Sequence, residues 1–384
     1  MLLSLLAIFV SCLVIWRSSH GFEVASDYLG RKLPPGIKGA TLNAIASSMP
    51  EFLTTMFFLF WLRDAEGFSG GLGVTSGSAL FNLLIIPALV VFMLFMMGKG
   101  KGIRLNRGVL LREGLVLLLS QVLFVIFLFQ GELQARHGLA LVAVYAVYLL
   151  LLFLITKRRQ IQDPGFHSPE PRGKLPLWLR IATLDITHVI LHKRSIDATL
   201  AWLILLLSTA VMTAGTWLLV WGTEVFGKET EIPLIFIAVV LSAAATSVPD
   251  TIISLKDARK GNYDDAVSNA LGSNIFDIAF ALGLPLFLYT LLGKGGIQLP
   301  EEIQNFTKEV WVFLFLATFL SLVIMLVGKY LTRLKASLLL VIYALFILFV
   351  GTQVEEGWKE VIGDHLGDFL TFIADGIGAL FSRN

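Results

Sequence analysis

Two stretches decide the fold: Ala46-Ser47-Ser48-Met49-Pro50-Glu51 and Ala245-Thr246-Ser247-Val248-Pro249-Asp250. Each sets hydroxyls, a helix-breaking proline and a carboxylate inside a long apolar run. Each is followed by a partner, Gly77-Ser78-Ala79-Leu80-Phe81-Asn82 and Gly272-Ser273-Asn274-Ile275-Phe276-Asp277. An ionisable group within a membrane span is costly and is usually kept for function. Two of them, in duplicated surroundings, point to one oxygen-rich cation site shared by two halves.

The surrounding composition is that of a membrane protein. Of 384 residues, 56% are apolar and 15% charged, with a mean hydropathy of +0.79. Apolar runs of about 20 residues, the length that crosses a bilayer, predict about ten spans. Their limits are 3–29, 37–62, 72–97, 108–130, 138–156, 198–223, 232–255, 265–292, 309–328 and 333–352. The fold class expected is an all-α membrane protein with ten helices in two inverted five-helix repeats. No basic residue precedes Arg17, so the first run reads as a retained span rather than a cleaved leader. The single cysteine, Cys12, excludes an intrachain disulfide and a thiolate metal cluster.

Loop charge alternates along the chain. Arg31, Lys32 and Lys38 follow the first span, and Lys99, Lys101, Arg104 and Arg107 the third. Lys157–Arg159, Lys256–Lys260 and Lys329–Lys335 follow the fifth, seventh and ninth. The opposite loops carry Asp64, Glu66, Glu132, Glu224, Glu229, Glu231, Glu301, Glu302 and Glu309. The positive-inside rule puts the basic loops in the cytoplasm and both termini outside, in a plasma or inner membrane. Residues 1–156 form the first repeat, with its motif at 41–86. A proline-rich linker, 157–197, carries a helix over 177–194 that lies on the membrane surface. Residues 198–352 form the second repeat, with its motif at 240–284, and 353–384 an acidic amphipathic outer tail. Five spans per half force the second half to enter from the opposite face, as in the inverted repeats of secondary transporters. Nothing marks a nucleic-acid partner; the partner is the bilayer.

The motifs align without gaps. Ser47 and Glu51 are four apart and share a helix face, as do Thr246 and Asp250, Ser78 and Asn82, and Ser273 and Asp277. Ser48 and Ser247 add hydroxyls. Pro50 and Pro249 deprive the Ala46 and Ala245 carbonyls of their helical partners. Freed carbonyls at membrane depth must face protein or a cavity. Gly77 and Gly272 are expected to let helices approach closely. Carboxylates, hydroxyls, an amide and carbonyls suit a hard cation such as Ca²⁺, and disfavour a soft metal. An aspartyl-protease dyad is a rival, but the Tyr-Asp and Gly-x-Gly-Asp motifs of presenilin-like enzymes are missing around Glu51 and Asp250. The chain is therefore expected not to be an enzyme. His188 and His192 read as interfacial side chains, and Asp257, Asp264 and Asp265 as a solvated loop. Asn305-Phe306-Thr307 is a glycosylation sequon.

These motifs resemble the paired alpha repeats of the cation/Ca²⁺ exchanger superfamily, in its Na⁺/Ca²⁺ exchanger branch. The resemblance implies that Glu51 and Asp250 are the central Ca²⁺ ligands, for which Na⁺ competes. It implies that Ser47, Ser48, Thr246, Ser247, Ser78 and Ser273 serve flanking Na⁺ sites, joined by the carbonyls of Ala44 and Ala243. Asn82 and Asp277 complete the centre, and spans one and six move as a gate across the other eight. Asp250, where simple members carry Glu, and Asp277 resemble the K⁺-dependent type, so K⁺ co-transport is compatible with the sequence. The function expected is Na⁺/Ca²⁺ antiport by alternating access. The alternatives are H⁺-coupled or broader divalent exchange, or a Ca²⁺-permeable channel.

Overall fold

The computed structural model describes residues 1–31, 42, 44–62, 65–98, 102–156, 176–191, 194–354, 367–373 and 376. Among them are ten helices long and apolar enough to cross a membrane: α1 (Leu2–Leu29), α2 (Ala44–Leu62), α3 (Glu66–Met96), α4 (Arg107–Phe129), α5 (Ala135–Ile155), α6 (Ala198–Thr230), α7 (Leu234–Lys260), α8 (Ala266–Gly293), α9 (Glu301–Leu326) and α10 (Arg333–Val354). This is the expected all-α membrane architecture.

Several bounds differ from expectation: α6 runs on to Thr230 rather than 223, and α9 starts at Glu301 rather than 309. α3 begins at Glu66 rather than 72, although its first turns hold Gly67, Gly70, Gly71 and Gly73. Glycine lowers helix propensity, but here it buys contact: a Cβ on Gly73 would lie 2.9 Å from the Ile235 carbonyl of α7. Packing overrides propensity. The linker helix is also two pieces, Leu177–Ala182 and Ile186–Leu191, broken where Leu184 takes φ +53°. The second piece is not an interfacial surface element throughout, because Thr187, His188 and Leu191 are buried. It packs on α6 and α1. His192 and most of the tail lie outside the described residues, although 367–373 is helical.

The main core runs through α3, α4, α5, α8, α9 and α10. α1 lies along α6, their surfaces meshed at small residues. Cβ atoms added at Gly215 and Gly222 would meet Val14 at 2.9 Å and Ala7 at 3.2 Å.

Two short ladders tie loops from opposite halves. β1 (Gly102–Ile103) pairs antiparallel with β4 (Leu331–Thr332), and β2 (Glu132–Leu133) with β3 (Ile297–Gln298). Gly102 faces Thr332 and Ile103 faces Leu331. Exchanging the halves, with β3 in place of β1 and β2 in place of β4, turns these pairs into Ile297 facing Leu133 and Gln298 facing Glu132. That is the register of the second ladder. The duplication therefore extends into the loops.

Candidate functional site

α2 and α7 bring the two proline motifs to the middle of the molecule, and α3 and α8 bring their partners. Ser47, Ser48, Glu51, Ser78, Asn82, Thr246, Ser247, Asp250, Ser273 and Asp277 are all fully buried, at 0% exposure. The four i, i+4 faces meet as the spacing predicts. Local irregularity marks the place. π-helical turns at Phe81–Ile85 and Asp277–Ala281 carry Asn82 and Asp277. A third, Ala238–Ser242, precedes the second proline motif. Such bulges are frequent at functional sites because they re-aim side chains within a helix.

One polar network crosses between the halves. Ser273 Oγ donates to Asp250 Oδ1 at 2.8 Å, and Asn82 Nδ2 donates to Asp250 Oδ2 at 2.8 Å. Ser78 Oγ lies 3.1 Å from Glu51 Oε1 and 3.4 Å from Asp277 Oδ2. Ser247 Oγ meets Ser78 Oγ at 3.0 Å, and Ser47 Oγ meets Ser273 Oγ at 3.0 Å. The carbonyls of Ala44 and Ala243 accept from Ser47 Oγ at 3.3 Å and Thr246 Oγ1 at 3.1 Å. Among the described residues no three His, Cys, Asp or Glu side chains converge closely enough to share one ion. Hydroxyls and amides stand between the carboxylates, so any ion here takes mixed oxygen ligands.

The electrostatic balance is lopsided. Glu51, Asp250 and Asp277 form no ion pair with a described Lys, Arg or His. Four oxygens of the site, Ser48 Oγ, Glu51 Oε2, Asn82 Oδ1 and Asp277 Oδ1, have no well-formed hydrogen bond among the described residues. A buried polar atom left unmatched costs about 1–3 kcal/mol, and more when charged. Acceptors without donors, and carboxylates without counter-charges, are what a cation compensates.

The two halves are not identical. α2 runs unbroken through Pro50 over Ala44–Phe57. The helix of the second motif breaks at Ser247, between Ala243–Thr246 and Val248–Lys260. The glycines differ too. A Cβ on Gly77 would collide with the Val239 carbonyl and the Ala243 Cβ of α7, whereas one on Gly272 meets no described atom within 4 Å. Close approach is thus found at one glycine and not at the other.

The motif reading missed Asn269 and Asn274. Asn269 lies beside Asp250, and neither of its side-chain amide atoms makes a well-formed hydrogen bond among the described residues. It continues the Ser273–Asp277 stripe one turn earlier on α8, and that spacing was a usable signal. Its counterpart in the first half is apolar Val74, so the repeat comparison passed over it. Asn274 Nδ2 donates to the Ala79 carbonyl at 2.8 Å and clamps α8 to α3.

Comparison with known proteins agrees with this architecture. The family model for sodium/calcium exchanger protein matches residues 3–154 and 200–352. The inner membrane protein YrbG of Escherichia coli is 27% identical over 293 residues, covering 75% of this chain and 81% of the relative. Human sodium/potassium/calcium exchanger 5 is 26% identical over 354 residues, covering 74% of this chain and 68% of the relative. Among solved structures, the H⁺/Ca²⁺ exchanger CAX shares the fold with a TM-score of 0.67 at 15% identity, covering 99% of this chain and 90% of that one. The sodium–calcium exchanger NCX_Mj does so with a TM-score of 0.56 at 19% identity, covering 91% and 98%. With both matched segments falling on the two halves and the buried site between them, the chain belongs to the sodium/calcium exchanger family, a group of multi-pass cation/Ca²⁺ exchangers.

Proposed function

We propose that the protein exchanges Na⁺ for Ca²⁺ across its membrane by alternating access. The observation that carries this reading is the set of three buried carboxylates, Glu51, Asp250 and Asp277, with no cationic side chain paired to them among the described residues. An empty site of this kind would expose uncompensated charge to a low-dielectric interior as it reoriented. Loading with Ca²⁺ or with Na⁺ removes that penalty, so the site turns over only when filled, and transport becomes exchange. Glu51 and Asp250 are the central ligands in this reading. Ser47, Ser48, Thr246, Ser247, Ser78 and Ser273, with the Ala44 and Ala243 carbonyls, complete flanking Na⁺ positions. Asn82 and Asp277 close the centre. With the basic loops in the cytoplasm, an inward Na⁺ gradient drives Ca²⁺ out.

A K⁺-coupled variant of the same exchange has specific support. Asp277 faces Asn82's half of the site as a second acid, and the human relative carries potassium in its name. Purified protein in liposomes, assayed for ⁴⁵Ca²⁺ uptake under Na⁺, K⁺ or H⁺ gradients imposed singly, tests the coupling. Uptake is expected with the Na⁺ gradient and not with H⁺ alone. An added K⁺ requirement that disappears in Asp277→Asn identifies the K⁺-coupled form. Glu51→Gln and Asp250→Asn are each expected to slow uptake at least about tenfold, since a bond to a charged group is worth about 1.5–3 kcal/mol. Uptake at the native rate in either variant sinks the assignment.

A further inference from the structure

The ladder β1–β4 does more than join two loops. It draws Arg104 and Arg107, at the start of α4, against Lys329, before α10. The three cations line one concave pocket of about 690 Å³ with Leu105, Asn106, Gly108 and Tyr330. The Arg107 guanidinium donates to the Gly328 carbonyl at 2.6 Å and fixes one loop on the other. No carboxylate lines the pocket, and none pairs with Arg104 or Lys329 among the described residues.

The cytoplasmic bias of basic loops accounts for cations on this face, and the ladder gathers three of them into one pocket. The second ladder has the same register, so the backbone arrangement occurs twice. At the matching positions it carries Leu299 for Arg104, Glu302 for Arg107 and Gln130 for Lys329. The geometry is duplicated, and the cations are not. They were placed on one ladder, at one membrane surface.

The apolar surface beside the pocket indicates what the cations hold. One turn beyond Arg107, Leu111, Leu115 and Leu119 form an outward stripe down α4, 47%, 63% and 59% exposed. Across the pocket, Leu334 and Leu338 start a similar stripe on α10. An anionic group above two lipid-facing stripes is the shape of a phospholipid. We propose that Arg104, Arg107 and Lys329 form a site for the phosphate group of an anionic phospholipid, whose acyl chains lie along α4 and α10. Basic pockets at helix ends attract such headgroups, each Lys or Arg near the surface contributing about fivefold in affinity.

The test compares full-length protein with Arg104→Gln/Lys329→Gln. Arg107 is retained because it braces Gly328. Both proteins are reconstituted in discs of phosphatidylcholine with or without one-fifth phosphatidylglycerol, then extracted and weighed intact by native mass spectrometry. The wild type is expected to retain phosphatidylglycerol, and the double variant to bind it roughly 30-fold more weakly. A second arm adds inorganic phosphate to protein in phosphatidylcholine discs and follows its ³¹P line width. Broadening by the wild type alone, without retained phosphatidylglycerol, would assign the pocket to free phosphate and overturn the lipid. Equal lipid retention by both proteins overturns the site altogether. Neither readout depends on transport, so failure here leaves the exchange reading standing.

Discussion

At the scale of single residues, the site shows how far a duplicated motif constrains its copies. Gly77 and Gly272 occupy equivalent positions, yet only Gly77 is pressed against a neighbouring backbone. Gly77→Ala is therefore expected to destabilise the protein by about 1–3 kcal/mol or more, the usual cost of overpacking. Gly272→Ala should be close to neutral. Thermal unfolding of the two variants in detergent checks this; equal midpoints would show that the α3–α7 contact is looser than described. The same asymmetry explains which residues the sequence revealed. Glu51, Asp250, Ser78 and Ser273 stood out because each has a polar twin. Asn269 has Val74 for a twin, so only its position one turn before Ser273 could betray it. One turn beyond Glu51, the orphan hydroxyl of Thr54 has Ile253 for a twin and is hidden in the same way, whereas Thr55 and Ser254 are polar twins outside the quoted motifs. Each is unremarkable alone and informative only beside the carboxylates.

At the scale of elements, spans were legible because a bilayer demands long apolar helices. What was not legible was tertiary rescue: the glycine-rich start of α3 and the docking of Ile186–Leu191 on α1 and α6. That short helix is held by polar contacts that hydropathy cannot register. His188 Nδ1 lies 2.8 Å from Asp185 Oδ1. Arg180 Nη1 donates to the His188 carbonyl at 3.2 Å, and Arg17 Nε to the Thr183 carbonyl at 2.6 Å. Burial alone would raise the Asp185 pKa. The His188 hydrogen bond and charge, with Arg17, outweigh it and hold the carboxyl below its usual range. A depressed value means that the stabilisation is complete above the ordinary aspartate range of about 4 and is lost as pH falls through the lower folded value. A spin label at Val189→Cys, with Cys12→Ser, is expected to be immobile at pH 6 and to gain mobility only on acidification below that range. Adding Asp185→Asn should mobilise it at neutral pH. An unchanged line shape would mean that apolar contacts alone hold the helix.

At the scale of the whole molecule, the packing separates one helix pair from the rest. α1 follows α6 from end to end, with Ser4 Oγ 2.7 Å from Glu229 Oε2 at one end and Gly21 seated on Ser208 at the other. α1 meets α7 more sparsely, across a cavity of about 270 Å³ that reaches Pro249. One polar bridge spans that cavity, Lys256 Nζ to Glu23 Oε2 at 3.2 Å. The ladders, by contrast, fasten the α3–α4 loop to the α9–α10 loop, and the α4–α5 loop to the α8–α9 loop, so α4 and α9 are held at both ends. If the α1–α6 pair is the part that moves, a covalent tie across the cavity must stop exchange, and a tie within a ladder must not. In a Cys12→Ser background, oxidised Glu23→Cys/Lys256→Cys is expected to lose ⁴⁵Ca²⁺ exchange and to regain it on reduction. Oxidised Ile103→Cys/Leu331→Cys, across the facing pair of β1 and β4, should exchange at the reduced rate throughout. Equal inhibition by both ties would show that the ladders move as well. Inhibition by neither would place the moving boundary elsewhere than between α1 and α7.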